Sequence, residues 1–332
     1  MEYKQLGSSK VNASAVTFGA WAIGGSMWGG ADETDAVEAI QTSIDLGVTS
    51  IDTAPVYGFG KSEELVARAV GGKRDKVQIF TKFGLRWDVT DGEHFFDRNE
   101  EGKTYKIYKN ARKQSVIAEC EASLKRLKTD YIDLYQCHWR DSTTPLEETM
   151  DALKQLLQEG KILAAGVSNF TPDDIDAANK IVPIASDQPP YSMVNRGIER
   201  DVLPYCRKNN IGIIVYSPLQ RGLLTGKFSP DHQFKPGDHR ADQPHFRPEF
   251  IKLVDKFLDQ LRPIAHLHNA TLSQLVINWT IQQPGITVAL VGARNAEQAR
   301  ENAGASDVKL SSQEVENINS LLRSHLEAAA PN

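Results

Sequence analysis

A chain of 332 residues with 40% hydrophobic and 24% charged side chains can bury a substantial core, in one large domain or two small ones. Its 38 Lys and Arg against 43 Asp and Glu leave a formal net charge of −5, which argues against bulk attraction to nucleic acid or to anionic membranes. Cys120, Cys137 and Cys206 lie far apart, offering neither a disulfide framework nor a metal-binding spacing. The start, "MEYKQLGSSK", has no apolar signal core, and no apolar run is long enough to span a bilayer. A cytoplasmic protein with no metal, no nucleic-acid partner and no membrane association is expected.

In chain order, "YKQLGSSKVNAS" reads as a β-hairpin turning at Gly7. Strand-length apolar runs then recur eight times, as "AVTFGAW", "TSIDT", "VQIFTK", "YIDLYQCH", "ILAAGVS", "PIASDQ", "IGIIVYS" and "ITVALVG". Their near-continuous apolar character is that of strands covered on both faces. Helical patterns fill most of the gaps: Val116, Cys120, Leu124 and Leu127 mark one buried face, and Leu146, Met150, Leu153 and Leu157 another. Thr144, Pro145 and Glu147 predict an N-cap, a first-turn proline and a capping-box partner, with Gly160 closing that helix. Thr171, Pro172 and Asp174 repeat most of the device. Residues 84–110 and 217–248 break the rhythm as long polar and aromatic loops, the length expected of active-site lids. The tail from Ser311 predicts one extra helix, with Val315, Ile318 and Leu322 on one face. Eight strands alternating with helices predict a single (β/α)8 barrel domain over 1–332, with an N-terminal β-hairpin and an extra C-terminal helix.

In such a barrel the strand C-termini converge, so residues distant in sequence become neighbours. The second run ends at Asp52 with Tyr57 in its loop, the third at Lys82, the fourth at His138, the fifth at Ser168 and Asn169, the sixth at Gln188 and the seventh at Tyr216 and Ser217. Taken singly, Lys82 reads as a solvated strand end, His138 as a core histidine, and Asp52 and Tyr57 as turn chemistry. Together they make a device. An ammonium beside a phenol lowers its pKa, an aspartate keeps that ammonium charged, and a neutral imidazole positions a carbonyl oxygen. The set predicts proton donation to a carbonyl that receives a hydride. No GxGxxG or P-loop spacing follows a strand, so a doubly wound nucleotide fold is disfavoured. "SPLQRGLLTGK" and "VGARNAEQARENAG" instead lie where barrels bind phosphate.

The motifs "GAWAIGG", "IDTAPVYGFGKSEE", "TKFGL", "IDLYQCHW", "GKILAAGVSNF", "YSPLQRGLLTGK" and "VGARNAEQARENAGA" span nearly the whole chain. They resemble the aldo-keto reductase family, in particular its bacterial general-stress and inositol-cluster branch. The resemblance implies NADPH lying across the strand ends and a tetrad of Asp52, Tyr57, Lys82 and His138. It implies that Ser168, Asn169 and Gln188 hold the nicotinamide carboxamide, that Tyr216 stacks on the ring, and that Trp21 borders it. Ser217, Pro218, Leu219, Arg221, Gly222, Leu224 and Lys227 follow for the pyrophosphate, and Gly292, Arg294, Gln298, Glu301 and Asn302 for the adenosine end. Trp21, Tyr57, Trp87, His138 and Trp139 are expected to line the substrate pocket. Arg140 stands where relatives usually have proline, which bears on the placement of His138. A cation at Arg294 suits a 2′-phosphate and predicts preference for NADPH over NADH. The implied activity is reduction of aldehydes, dicarbonyls or open-chain sugars, with a small-molecule carbonyl as substrate. A polyol or alcohol dehydrogenase running in the oxidising direction is an alternative. So is a cofactor-carrying regulatory subunit like those of potassium channels. Oligomeric state stays open, with a monomer expected.

Overall fold

The computed structural model describes residues 1–25, 27–100, 102–235 and 237–326. Ser26, Glu101 and Pro236, together with the last six positions of the expected 1–332 domain, lie outside the described residues. β1 (Tyr3–Gln5) and β2 (Asn12–Ser14) form the expected hairpin. Gly7, at φ 53°, lets it approach the start of the barrel: a Cβ there would lie 2.8 Å from the carbonyl oxygens of Ala185 and Asn210. Leu6, Val11 and Ala13 thereby close the barrel's lower end against Phe80, Leu134 and Ile214.

The chain continues through β3 (Val16–Gly19), α1 (Glu33–Asp45), β4 (Ser50–Asp52), α2 (Lys61–Val70) and β5 (Gln78–Phe83). β6 (Leu85–Arg86), β7 (Glu93–Glu100) and β8 (Lys103–Lys109) then form a separate antiparallel sheet. After it come α3 (Lys113–Leu127), β9 (Leu134–Cys137), α4 (Leu146–Gln158), β10 (Ala165–Ser168), α5 (Pro172–Asn179), β11 (Ile184–Gln188), α6 (Val202–Lys208) and β12 (Gly212–Val215). The final elements are α7 (Pro248–Leu267), α8 (Leu272–Gln282), β13 (Val288–Val291), α9 (Ala296–Gly304) and α10 (Ser312–His325). β3, β4, β5, β9, β10, β11, β12 and β13 pair in parallel and close into a barrel in that order. This is the (β/α)8 fold, with the hairpin and the extra terminal helix in place.

Side chains alternate between barrel interior and helix layer with the period of two that a strand imposes. Phe80, Leu134, Ile214 and Val288 fill the interior, while Ile51, Ile79, Tyr135 and Val167 pack outward under the helices. Of the two predicted N-caps one is in place, Thr171 Oγ1 accepting from Asp174 N; a full capping box of Ser311 and Glu314 on α10 adds a cap that was not predicted. Two local expectations change. α4 begins at Leu146 without a side-chain cap, because the Thr144 hydroxyl donates instead to Asp141. On the same helix Leu156 is fully buried and Leu157 only partly so. The stretch 84–110, expected as loop, is largely the small sheet of β6 to β8.

Candidate active site

The cavity floor is built by residues two positions apart on neighbouring strands, which the pleat directs inward. Lys82 is fully buried, and its ammonium donates to Asp52 Oδ1 at 2.6 Å and to the Thr53 carbonyl at 2.9 Å. Asp52 Oδ2 accepts from Gln188 Nε2 at 2.8 Å and from Gln136 Nε2 at 3.3 Å. Gln188 also reaches Gln136 Oε1 at 3.2 Å. Both carboxylate oxygens are therefore satisfied, as a buried ion pair requires. Gln136 is absent from the sequence-based set. Its signal was the strand period, since it lies two residues before His138 on the same inward face.

Tyr57 stands above this floor on the tight turn after β4. The turn rests backbone to backbone on the loop after β3: Cβ atoms at Gly24 or Gly58 would collide with Tyr57 or Gly24 respectively. Gly58 is also left-handed, with φ 64°. The Tyr57 ring lies 5.8 Å from that of His138, nearly perpendicular, and 5.1 Å from the Lys82 ammonium. Burial, then the proximity of Lys82, holds the His138 imidazole well below its ordinary pKa and so neutral near pH 7. Burial also depresses Lys82, opposed by Asp52. The tyrosine departs from expectation: burial, then Asp52, raises the phenol well above its ordinary value rather than lowering it. The reason is that Asp52 already neutralises the ammonium, leaving desolvation to dominate.

Asp52, Tyr57, His138, Trp21 and Trp139 line one cavity of about 560 Å³ with Ser168, Asn169, Gln188 and Tyr216. Ser168 Oγ donates to the Gln188 carbonyl at 2.7 Å, and Asn169 Nδ2 reaches Ser168 Oγ and the His138 carbonyl. Tyr216 donates to Asn169 Oδ1 at 2.9 Å. Ser217, Pro218, Leu219, Arg221, Gly222 and Lys227 continue the wall, and Gly292, Arg294, Gln298, Glu301 and Asn302 complete it. Leu224 and Trp87 stand outside it. Leu224 is fully buried in the core, and Trp87 packs against Phe59 at 5.3 Å beside the small sheet. Arg140 turns away from the cavity and donates to the carbonyls of Asp141 and Thr144, so it stitches its own loop and leaves His138 in place.

The roof contains residues that sequence reasoning missed. Phe95, Phe96 and Arg98 of β7 reach the cavity from one side, and Trp28 and Arg240 from the other. Trp28 and Asp238 form an antiparallel bridge, and the His239 amide donates to the Met27 carbonyl at 3.2 Å. The Arg240 guanidinium pairs with Asp238 and lies 5.0 Å from the Trp28 ring. Arg294 Nη1 adds a bond to the Trp28 carbonyl at 3.3 Å. Loops after β3, β12 and β13 thus meet over the cavity. The dispersed "MW" and "HR" pairs gave no periodic signal by which to find them.

Among the described residues no group of three or more His, Cys, Asp or Glu could hold a metal, and no helix is long and apolar enough to cross a membrane. Residues 15–323 match the model of the Aldo/keto reductase family. The chain is 39% identical over 325 residues, 97% of its length and 94% of the relative's, to Aldo-keto reductase YhdN of Bacillus subtilis (strain 168). It is 37% identical over 312 residues, 92% and 94% of the two chains, to NADH-specific methylglyoxal reductase of Escherichia coli (strain K12). Among solved structures, glycerol dehydrogenase AKR11B4 from Gluconobacter oxydans superposes with a TM-score of 0.88 at 36% identity, covering 98% of this chain and 96% of that one. Matched from its first barrel strand to its last helix, the chain belongs to the aldo/keto reductase family.

Proposed function

We propose that the protein is an NADPH-dependent reductase of small aldehydes, dicarbonyls or sugar-type carbonyls, with Tyr57 as general acid. The observation that carries this reading is Tyr57 and His138 facing one cavity, ring to ring at 5.8 Å, above the buried Lys82–Asp52 pair at 2.6 Å; burial favours the protonated phenol and the neutral imidazole. His138 holds the substrate carbonyl oxygen by hydrogen bonding, and Tyr57 Oη gives it a proton as it gains negative charge. The raised phenol pKa does not prevent this, because an alkoxide is a stronger base than a phenolate. As the proton leaves, the ammonium of Lys82 is close enough to stabilise the phenolate that remains.

The wall fits a nicotinamide dinucleotide, whose hydride is the reductant when it is bound. Ser168, Asn169 and Gln188 offer amide and hydroxyl groups for the carboxamide, and Tyr216 an aromatic face. Ser217 to Leu219, Gly222 and Lys227 line the middle, and Gly19 and Gly292 leave bare backbone there. Gln298, Glu301 and Asn302 border the adenosine end, where the amides of α9 favour an anion. Arg294 supports NADPH over NADH, since no carboxylate among the described residues pairs with its guanidinium. The Escherichia coli relative named as NADH-specific makes this choice the point to test. Three free, buried cysteines suit a reducing, cytoplasmic setting.

The likeness to a glycerol dehydrogenase favours one second reading, a polyol dehydrogenase working in the oxidising direction through the same residues. Nicotinamide absorbance followed with NADPH and NADH against aldehydes, dicarbonyls and sugars tests both. Consumption of NADPH is expected. Faster reduction of NADP⁺ by polyols would favour the second reading. Flat traces throughout would overturn both and favour a cofactor-carrying binding subunit.

A further inference from the structure

Three of the five Lys and Arg side chains of the cavity wall are matched by carboxylates, and Arg294 at the adenosine end is not. Lys227 pairs with Glu301 at 3.3 Å, Arg98 with Glu100 at 2.9 Å and Arg240 with Asp238 at 2.6 Å. At the carbonyl end one guanidinium is not matched. Arg221 lines the cavity half-buried, and no carboxylate among the described residues pairs with it. Its guanidinium carbon lies 5.7 Å from the Trp21 ring, and that ring lies 6.2 Å from Tyr57. The cation therefore sits one indole away from the proton donor.

Its position is set by the backbone rather than by an ion pair. Gln220, Arg221 and Gly222 all adopt left-handed φ, at 46°, 56° and 98°. Leu219 accepts from Gly222 N at 3.0 Å, and Arg240 Nη1 donates to the Arg221 carbonyl at 3.2 Å. Backbone of this kind is retained where surrounding contacts over-determine it. The neighbours bring Arg221 no counter-charge, since the acid nearest Arg240 is already taken up by that residue. Arg240 lies close by, and His239 and His245 are both kept neutral, chiefly by burial. A half-buried guanidinium with no counter-charge is costly, and an anionic ligand would offset that cost.

We propose that Arg221 is a specificity-determining residue that binds an anionic oxygen group, carboxylate or phosphate, on the substrate while its carbonyl lies at Tyr57 and His138. This rests on the carbonyl-reduction reading and names its substrate class as short acyclic carbonyl compounds with a terminal anion. Arg suits either group because its planar fork binds two oxygens at once. It also assigns Arg221 to the substrate, where the family resemblance implied the pyrophosphate.

The test compares kcat/KM for matched pairs: 4-oxobutanoate against butanal, and glyceraldehyde 3-phosphate against glyceraldehyde. Wild type should favour the charged member of at least one pair by about 10- to 150-fold, the size of one charge-assisted bond. Which pair responds identifies the group. Arg221→Gln should collapse that ratio, and Arg221→Lys should retain part of it. A wild type without charge preference, or a preference that survives Arg221→Gln, overturns the proposal. So does an Arg221→Gln variant whose NADPH dissociation constant rises while the ratio holds, since Arg221 would then serve the cofactor. Calorimetric titration of wild type and variant with unreactive glutarate and inorganic phosphate, with and without NADP⁺, reads the anion site without turnover. Binding by wild type alone supports the site, and binding of neither anion by wild type overturns it. Failure to turn over even butanal would instead defeat the carbonyl-reduction reading.

Discussion

Floor and roof of the cavity are made by opposite means. In the floor, Asp52, Lys82, Gln136 and Gln188 come from β4, β5, β9 and β11, are fully or almost fully buried, and take each other as partners. In the roof, Arg98, Arg240, Arg294 and Trp28 come from loops and the small sheet: Arg98 and Arg240 pair with acids two residues away, and Trp28 is tied to distant segments by Arg294 and Asp238. Strand ends are fixed by a ladder shared with two neighbours, whereas loops can change without disturbing the barrel. Under the proposed function, the floor would carry what every substrate needs and the roof what distinguishes one substrate or cofactor from another.

The sharpest test of that division is Tyr57→Phe, which removes only the proton donor. Turnover of all carbonyl substrates should fall about 10²- to 10⁴-fold, with NADPH affinity nearly unchanged by fluorescence titration. Retained turnover would mean the acid lies elsewhere. Lys82→Met breaks the buried pair and leaves Asp52 charged against two amides, so unfolding stability should drop by about 3–5 kcal/mol in a denaturant titration. A wild-type midpoint would show that the floor is not a single unit.

Glu119 lies where floor meets roof, accepting from Gly84 N as β5 leads toward β6. Burial, opposed by Arg86, raises its carboxyl from an ordinary 4.5 to about 7. A folded-state value above the unfolded one means stability that is complete below pH 4.5 and lost as pH rises to about 7. Relative to Glu119→Gln, wild type should lose up to about 3 kcal/mol across that window. Parallel stability curves for the two proteins would reject the assignment. In the roof, Arg294→Ala should weaken NADPH by roughly 10- to 150-fold and NADH far less. Equal losses for both cofactors would remove the 2′-phosphate from its role. The smallest effect is expected of Trp87→Leu, which should leave KM unchanged while Trp139→Leu raises it. The reverse pattern would return Trp87 to the pocket.

The same division explains what the sequence made legible. Strands covered on both faces leave continuous apolar runs, and polar residues that end such runs stand out, as Asp52, Lys82, His138 and Gln188 do. Gln136 was missed because it lies inside a run, where only the period of two marks it as a neighbour of Asp52. The sheet of β6 to β8 was missed because it is largely exposed or half-exposed, so "HFFDRNE" and "KTYKIYK" mix charges with aromatics without an apolar alternation and read as loop. Thr144 has a cap's spacing, but Asp141 competes for its hydroxyl. The direction of the Tyr57 shift depends on desolvation, which no motif encodes.

The bridge between Trp28 and Asp238 ties the loop after β3 to the loop after β12 beside the cavity that both loops line. Parting that crossing is a local unfolding event with its own rate, separate from that of any chemistry in the cavity. The His239 amide, bonded to the Met27 carbonyl at the crossing, is a natural clock for it. Its hydrogen exchange reports how often the two loops part, and so how freely that side of the cavity moves.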